Sequence, residues 1–205
     1  MTTSTDISTA AGRPGVKTMN RADLTRRLVR KLVNDEAVIG GIGNANFDLW
    51  ASGQRPQNFY MLASMGLAVP ISLGVAIAQP NRRVIALEGD GSILMQLSSL
   101  GTIAAVRQKN LVVVIFDNGV FQLTGSQRTL TSYDTDVVAI AKGTGIAQSY
   151  WATDEKHFEE LMDRALKENG PWFVAASIDG KSAEGTTERD ATKIRARFMQ
   201  GMGVG

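Results

Sequence analysis

The sequence predicts an α/β fold: a single three-layer domain, with a mostly parallel sheet of about six strands and helices on both faces. Three observations carry this. Short β-branched runs alternate with segments whose apolar residues recur at helical spacing. Most of the strand-like runs close in a glycine-bearing turn that leads straight into a helix. In Val84–Gln127 a strand, a Gly-rich turn, a helix, a second strand and a second turn follow one another, which is one βαβ unit with a right-handed crossover.

Residues 1–19 read as a disordered lead-in, and residues 20–205 as the domain. The lead-in lacks an apolar core and is not a secretory signal. Asn20 caps a helix over Arg21–Val33, with Leu24, Leu28 and Leu32 on one face. The charges of that helix read as a solvated face. Ala37–Ile39 is a strand ending in Gly40-Gly41-Ile42-Gly43-Asn44. Gly41 and Gly43 suggest a dinucleotide fingerprint, but Asn46 stands where the third glycine belongs and no acidic residue lies about 20 positions on. A tight strand-to-helix turn near a ligand is the better reading.

Asn58–Leu62 is a strand, followed by the turn Ala63-Ser64-Met65-Gly66. A helix over about Leu67–Ala78 tolerates Pro70 in its first turn. Taken alone, Met65 is a gap-filling residue. In the central unit, Val84–Leu87 is a strand, Ile93–Arg107 one helix, and Leu111–Phe116 a strand. Asp136 caps Val137–Lys142, and Ala147–Trp151 is a strand. Thr153 caps Glu155–Glu168, and Trp172–Ile178 is the last strand. The polar tail holds a short helix near Arg195–Met199. No internal repeat and no second domain are expected.

The chain has 205 residues, enough for one full α/β domain, and its 43% hydrophobic and 20% charged content is ordinary for a soluble protein. A net charge of +2, with no basic cluster among aromatics, gives no support to nucleic-acid binding. No apolar run is long enough to span a membrane, and a cytoplasmic location is expected. There is no cysteine, which excludes disulfides, thiol catalysis and iron–sulfur ligation by this chain. His157, the one histidine, sits among charges with no partner at ligand or triad spacing and reads as a surface residue.

In a parallel sheet, both turns of the central unit lie at the carboxyl ends of the strands, where ligands bind. Asp90 and Asn118 then stand side by side, each with a hard oxygen of the kind Mg²⁺ requires. Gly89 and Gly91 let the backbone approach a ligand. Ser92 marks a helix start, where N–H groups and the dipole attract an anion. Either turn alone is ordinary turn chemistry. The ordered combination describes a site for Mg²⁺ and a diphosphate.

Gly89-Asp90-Gly91 followed, after one helix and one strand, by Asn118 resembles the thiamine-diphosphate-binding signature of the decarboxylase-type thiamine enzymes. The resemblance implies thiamine diphosphate and Mg²⁺ as cofactors, with Asp90, Asn118 and the carbonyl of Val120 on the metal. Asp117 departs from the Asn common before the ligand in that family. The run NFYMLASMGLA is similar to the corresponding stretch of sulfopyruvate and phosphonopyruvate decarboxylases. By that resemblance Met65 props the cofactor in its bent form, the carbonyl of Ala63 accepts a hydrogen bond from the aminopyrimidine, and Ser64 lies near the diphosphate. The C-terminal KIRARFMQGMG also resembles the end of those β subunits. Thr124 to Thr129 resembles the family's substrate loop Thr-Gly-x-Gln-x-Thr, with Thr124 and Gln127 matching. Arg128 departs from it, either as a bidentate partner for an anionic substrate group or as a loop or interface cation.

The resemblance covers one domain only. Full-length relatives carry a pyrimidine domain whose glutamate protonates the aminopyrimidine. Glu88 lies on the strand of Asp90, directed to the diphosphate side, and the helix glutamates form an ordinary surface pattern. The resemblance therefore implies that the catalytic glutamate comes from a separate pyrimidine-domain α subunit. The expected assembly is a hetero-oligomer with about two or more copies of each chain, acting on a small 2-oxoacid such as sulfopyruvate or phosphonopyruvate. The alternatives are a carboligase of the acetolactate synthase type, a ferredoxin-linked oxidoreductase β subunit (opposed by the lack of cysteine), and a non-catalytic thiamine-diphosphate-binding module.

Overall fold

The computed structural model describes residues 13–33 and 35–204. Its strands are β1 (Ala37–Gly40), β2 (Asn58–Tyr60), β3 (Val84–Gly89), β4 (Leu111–Asp117), β5 (Val120–Phe121), β6 (Gln127–Arg128), β7 (Gln148–Ala152) and β8 (Trp172–Ser177). Its helices are α1 (Arg21–Lys31), α2 (Asn44–Ala51), α3 (Ala68–Ala78), α4 (Asp90–Leu94), α5 (Ser98–Val106), α6 (Val137–Gly143), α7 (Glu155–Lys167) and α8 (Ala191–Met202). Six strands form one sheet in the order β2-β1-β3-β4-β8-β7, and every pairing in it is parallel. The expected three-layer α/β domain is present. β5 and β6 form a small antiparallel pair outside that sheet.

Residue alternation along the strands builds two cores. Ile85, Leu87, Val112, Val114 and Phe116 point to the face packed by Leu24 and Leu28 of α1 and Phe158 and Met162 of α7. Val84, Ala86, Val113 and Ile115 point to the other, covered by Val69 and Leu73 of α3, Leu100 and Ile103 of α5, and Val137 of α6. Strands buried on both faces read as continuous apolar runs, as seen in the sequence. Among the described residues no helix is long and apolar enough to cross a membrane.

Several local expectations are corrected. The helix foreseen over Ile93–Arg107 is two helices, α4 and α5, parted at Met95–Leu97. Ser99 turns its hydroxyl back onto the Gln96 carbonyl at 2.6 Å, the local bonding by which serine competes with a continuous helix. α7 is capped by Asp154, not Thr153: the Asp154 carboxylate accepts the His157 N–H at 2.8 Å. Thr153 instead donates its N–H to Nδ1 of half-buried His157 at 3.2 Å. The tail helix is longer than expected, because Asp190 caps it by accepting from Thr192 and Lys193. Asn20 and Asp136 are the caps foreseen. The charged face of α1 is partly used, with Arg27 reaching Glu159 and Lys31 reaching Asp163 on α7.

The domain begins earlier than residue 20. Arg13–Met19 is fastened to it, while residues 1–12 of the expected lead-in lie outside the described residues. Lys17 donates its N–H to the Thr153 carbonyl at 2.9 Å, and Met19 forms a parallel bridge with Ile178. The Arg13 guanidinium stacks on Trp151, 4.2 Å from the ring centroid.

One buried ion pair holds α1, α2 and the tail together. Arg21 Nε donates to Asp48 at 2.7 Å, with side-chain exposures of 3% and 0%. Arg21 also donates to the Lys181 carbonyl, and Asp48 accepts the Glu184 N–H. Asp48→Ala leaves an uncompensated buried cation, so urea unfolding should show a loss of about 3–5 kcal/mol. A loss below about 1 kcal/mol, the scale of exposed pairs, would contradict this account.

Candidate cofactor site

β1 pairs with β2 on one side and β3 on the other. The chain therefore leaves β1 toward one edge and returns to build the rest of the sheet from β3. That reversal is a topological switch point, where open α/β sheets form a crevice beyond the carboxyl ends of the strands. A cavity of about 160 Å³ lies there. Its polar walls include Gly43, Asn44 and Ala45 at the start of α2, Gly89–Ser92 at the β3–α4 turn, and Asn118 and Val120 beyond β4. Met65, Phe121 and Leu123 give it apolar walls, and Thr124 closes it on the loop side.

Asp90 is 2% exposed and sits in a set of hydroxyls from the β5–β6 region. Thr129 and Thr131 both donate to its Oδ2. Thr131 also lies 2.8 Å from Oδ1 of Asp117, yet a threonine has one hydroxyl proton to give. Two buried carboxylates thus compete for one donor, and positive charge is favoured there. Burial, and then the Asp117 carboxylate, push Asp90 up to about 6. Burial also raises Asp117, while Thr131 and Arg13 pull the other way. Arg13 lies 3.7 Å from Asp117 and so offsets the acid that replaces the usual Asn.

Asn118 is held by its neighbours. Its Oδ1 accepts the Val120 N–H at 3.1 Å, leaving a second lone pair, and its Nδ2 donates to Gln122 at 3.3 Å. Gln122 Oε1 also accepts from Asn44 at 2.8 Å, and its amide donates to the Gly180 carbonyl. This glutamine joins the β4 turn, the start of α2 and the segment after β8. In α2 the Asn46 and Phe47 N–H groups bond to the Gly43 carbonyl, so helix geometry leaves the earlier N–H groups at its start available to an anion.

Met65 is the only member of its turn on the cavity wall; Ala63 and Ser64 are exposed beside it. Glu88, expected to face the diphosphate, does not line the cavity. Strand alternation places it with Val84 and Ala86 toward α3. There its Oε1 accepts the Gly66 N–H at 2.9 Å and its Oε2 the Gly89 N–H at 3.3 Å. Burial pushes Glu88 up to about 7.

The loop residues are divided. Thr124 lines the cavity, whereas Gln127 and Arg128 do not. Gln127 hydrogen-bonds back to Thr124, its Nε2 donating to the Thr124 carbonyl at 3.0 Å. Arg128 donates to the Ser132 carbonyl at 2.9 Å and lies over the Tyr133 ring, 4.7 Å from its centroid. Sequence reasoning places Thr129 in the substrate loop but misses its bond to Asp90, and it misses Thr131, Asn44, Gln122 and Arg21. Loop threonines and a helix-start asparagine carry no signal there until the hairpin folds back over Asp90.

The oxygen set fits a hard divalent cation: a carboxylate from Asp90, an amide oxygen from Asn118 and the carbonyl of Val120, with Asp117 behind. Among the described residues no group of three or more His, Cys, Asp or Glu is placed to hold a metal; this set draws on one carboxylate only. The cavity is small beside the 300–1,000 Å³ or so of a complete ligand pocket.

Fold and crevice define a cofactor-binding α/β domain, and comparison specifies it. The family model described as thiamine pyrophosphate enzyme, C-terminal TPP binding domain, matches residues 41–176. The chain belongs to that family. Sulfopyruvate decarboxylase subunit beta of Methanocaldococcus jannaschii is 34% identical over 180 residues, which cover 88% of this chain and 95% of the relative. Phosphonopyruvate decarboxylase of Streptomyces viridochromogenes is 37% identical over 174 residues, 84% of this chain but 43% of the relative. The benzoylformate decarboxylase structure from Polynucleobacter necessarius superimposes with a TM-score of 0.67 at 18% identity, covering 78% of this chain and 33% of that one. The chain thus spans nearly the whole length of that beta subunit, and less than half the length of the other two proteins.

The position of Glu88 has a consequence for the ligand-free protein. Its carboxyl keeps a proton up to about pH 7 in the fold but only to about 4.5 in the unfolded chain. The stability this gives is full below the lower value and is lost as pH rises through the higher. Urea unfolding of the ligand-free chain from pH 5 to 8 should show this decline, and Glu88→Gln should flatten it. An equal slope in both proteins would exclude Glu88 as its source.

Proposed function

We propose that this chain is the cofactor-binding subunit of a split thiamine-diphosphate- and Mg²⁺-dependent decarboxylase. Its substrate is a small 2-oxoacid such as sulfopyruvate, phosphonopyruvate or a close analogue. The observation that carries the reading is the make-up of the cavity. One end gathers Asp90, Asn118, Val120 and two helix starts, and Asp90 is the only acid among the described walls. When bound, thiamine diphosphate supplies the electron sink for breaking the bond to the carboxyl carbon. The Asp90 carboxylate, the Asn118 amide oxygen and the Val120 carbonyl hold Mg²⁺. N–H groups at the starts of α2 and α4, that of Ser92 included, take diphosphate oxygens. Met65 and Leu123 exclude water from the apolar side. Thr124 stands at the substrate side of the cavity.

The acid that must serve the pyrimidine end comes from a second chain, a pyrimidine-domain α subunit. The names of three similar proteins support this, since each is a sulfopyruvate decarboxylase subunit beta of which this chain covers 88% or more. The cavity wall supports it too. Leu123, which lines the cavity, is 58% exposed. Apolar surface beside a functional cavity marks a contact site. The assembly holds about two or more copies of each chain, as closed symmetry favours.

Calorimetry tests the cofactor reading: the chain with its partner should bind thiamine diphosphate in an Mg²⁺-dependent way, and Asp90→Ala should abolish the metal dependence. Unchanged affinity in that variant would refute the ligand assignment. Release of CO₂ from sulfopyruvate, followed with light scattering, tests the assembly. A stable monomer that decarboxylates 2-oxoacids alone would refute the two-subunit reading.

A further inference from the structure

We propose that Glu88 is a positioning residue that sets the Met65 wall of the cofactor cavity. The proposal rests on the thiamine-diphosphate reading above. Glu88 is 0% exposed and lies outside the cavity. A carboxyl group loses its hydration on such burial, and an apolar residue of similar size fills the space at lower cost. Its partners are the N–H groups of Gly66 and Gly89 and the Ser92 hydroxyl, with no cation among them.

Three strand ends meet on this one side chain. A Cβ at Gly41, just after β1, would collide with Oε2 of Glu88, so that glycine leaves the seat the carboxyl occupies. Gly66, in the turn after β2, presents its N–H to Oε1. Gly89 ends β3 itself. The turn Ala63–Gly66 needs such a fastening. Ser64 has φ 67° and Gly66 φ 82°, so two residues of one turn hold left-handed backbone, which costs energy for the serine. A Cβ on Gly66 would meet the Ser92 carbonyl at 2.5 Å, so the turn is also pressed against α4. Met65 lies between these two residues and lines the cavity. Glu88 therefore ties the apolar wall at Met65 to the strand that delivers Asp90, and fixes the span between the two ends of the site.

Two ligands separate this role from plain stability. Inorganic diphosphate with Mg²⁺ fills only the polar end, whereas thiamine diphosphate with Mg²⁺ also meets Met65. Calorimetry on the full chain with its partner would use wild type, Glu88→Ala, Glu88→Gln and Gly41→Ala. Losing the hydrogen bond that holds the Gly66 N–H should weaken thiamine diphosphate by about tenfold in the two alanine variants. Inorganic diphosphate should stay within about twofold in both. Glu88→Gln keeps an oxygen for the Gly66 N–H and should rescue binding. In the ligand-free chain, exchange of the Gly66 amide should be fast in Glu88→Ala and slow in Glu88→Gln. Equal loss of both ligands, loss of neither, or an unchanged Gly66 amide would overturn the proposal. If Glu88→Ala does not fold, Gly41→Ala set against Glu88→Gln makes the same comparison, with the same outcomes for and against. Wild type that binds neither ligand would instead overturn the cofactor reading, and this role with it.

Discussion

The parallel register between β3 and β4 governs the site. Gly89 lies opposite Phe116, so Asp90 comes out beside Asp117, the last residue of β4, and Asn118 follows at once. A register slip would flip every side chain between faces and separate them. The apolar alternation of both strands prevents it, because Ile85 and Leu87 belong to one core and Val84 and Ala86 to the other. Burial of ordinary aliphatic side chains thereby sets the geometry of a polar site. Reversal of the strand order between β1 and β3 then opens the crevice over these same strand ends.

Polar groups gathered there are costly without compensation. Asp90 and Asp117 share Thr131, and Arg13 offsets part of the charge from the start of the chain. A divalent cation in front of Asp90 would complete that balance. On the far side of β3, Glu88 is satisfied by backbone N–H groups, and Gly41 gives it room. Acids therefore stand on both sides of the strand end, with different partners: hydroxyls and a guanidinium on one, peptide N–H groups on the other.

Much of this was legible in the sequence. Periodicity marked the six-stranded sheet and its covering helices, because a strand buried on both faces and an amphipathic helix leave distinct patterns. Gly89-Asp90-Gly91 and Asn118 were legible because strand ends, close approach and hard oxygens demand particular residue types. Other features depend on contacts remote in sequence. The break between α4 and α5 comes from Ser99 bonding back to Gln96, and helical spacing continues across it. Thr129 and Thr131 matter only once the β5–β6 pair folds over Asp90. Glu88 shared a strand with Asp90, but its direction depended on which core the strand presents at that position. Arg13 sat in a polar stretch with no periodic pattern, and its partners Trp151 and Asp117 come much later in the chain.

That last contact bears on how the molecule is made. Met19 pairs with Ile178, directly after β8, and β8 fills the place between β4 and β7. During synthesis the first described residues emerge early but have nowhere to dock until the final strand has left the ribosome. The Asp117 carboxylate therefore waits for its guanidinium until β8 has been made, and the nascent chain holds β4 with an open edge until then. Docking of the segment before α1 is thus a closing step of folding, performed by residues that are made ahead of every described strand and helix.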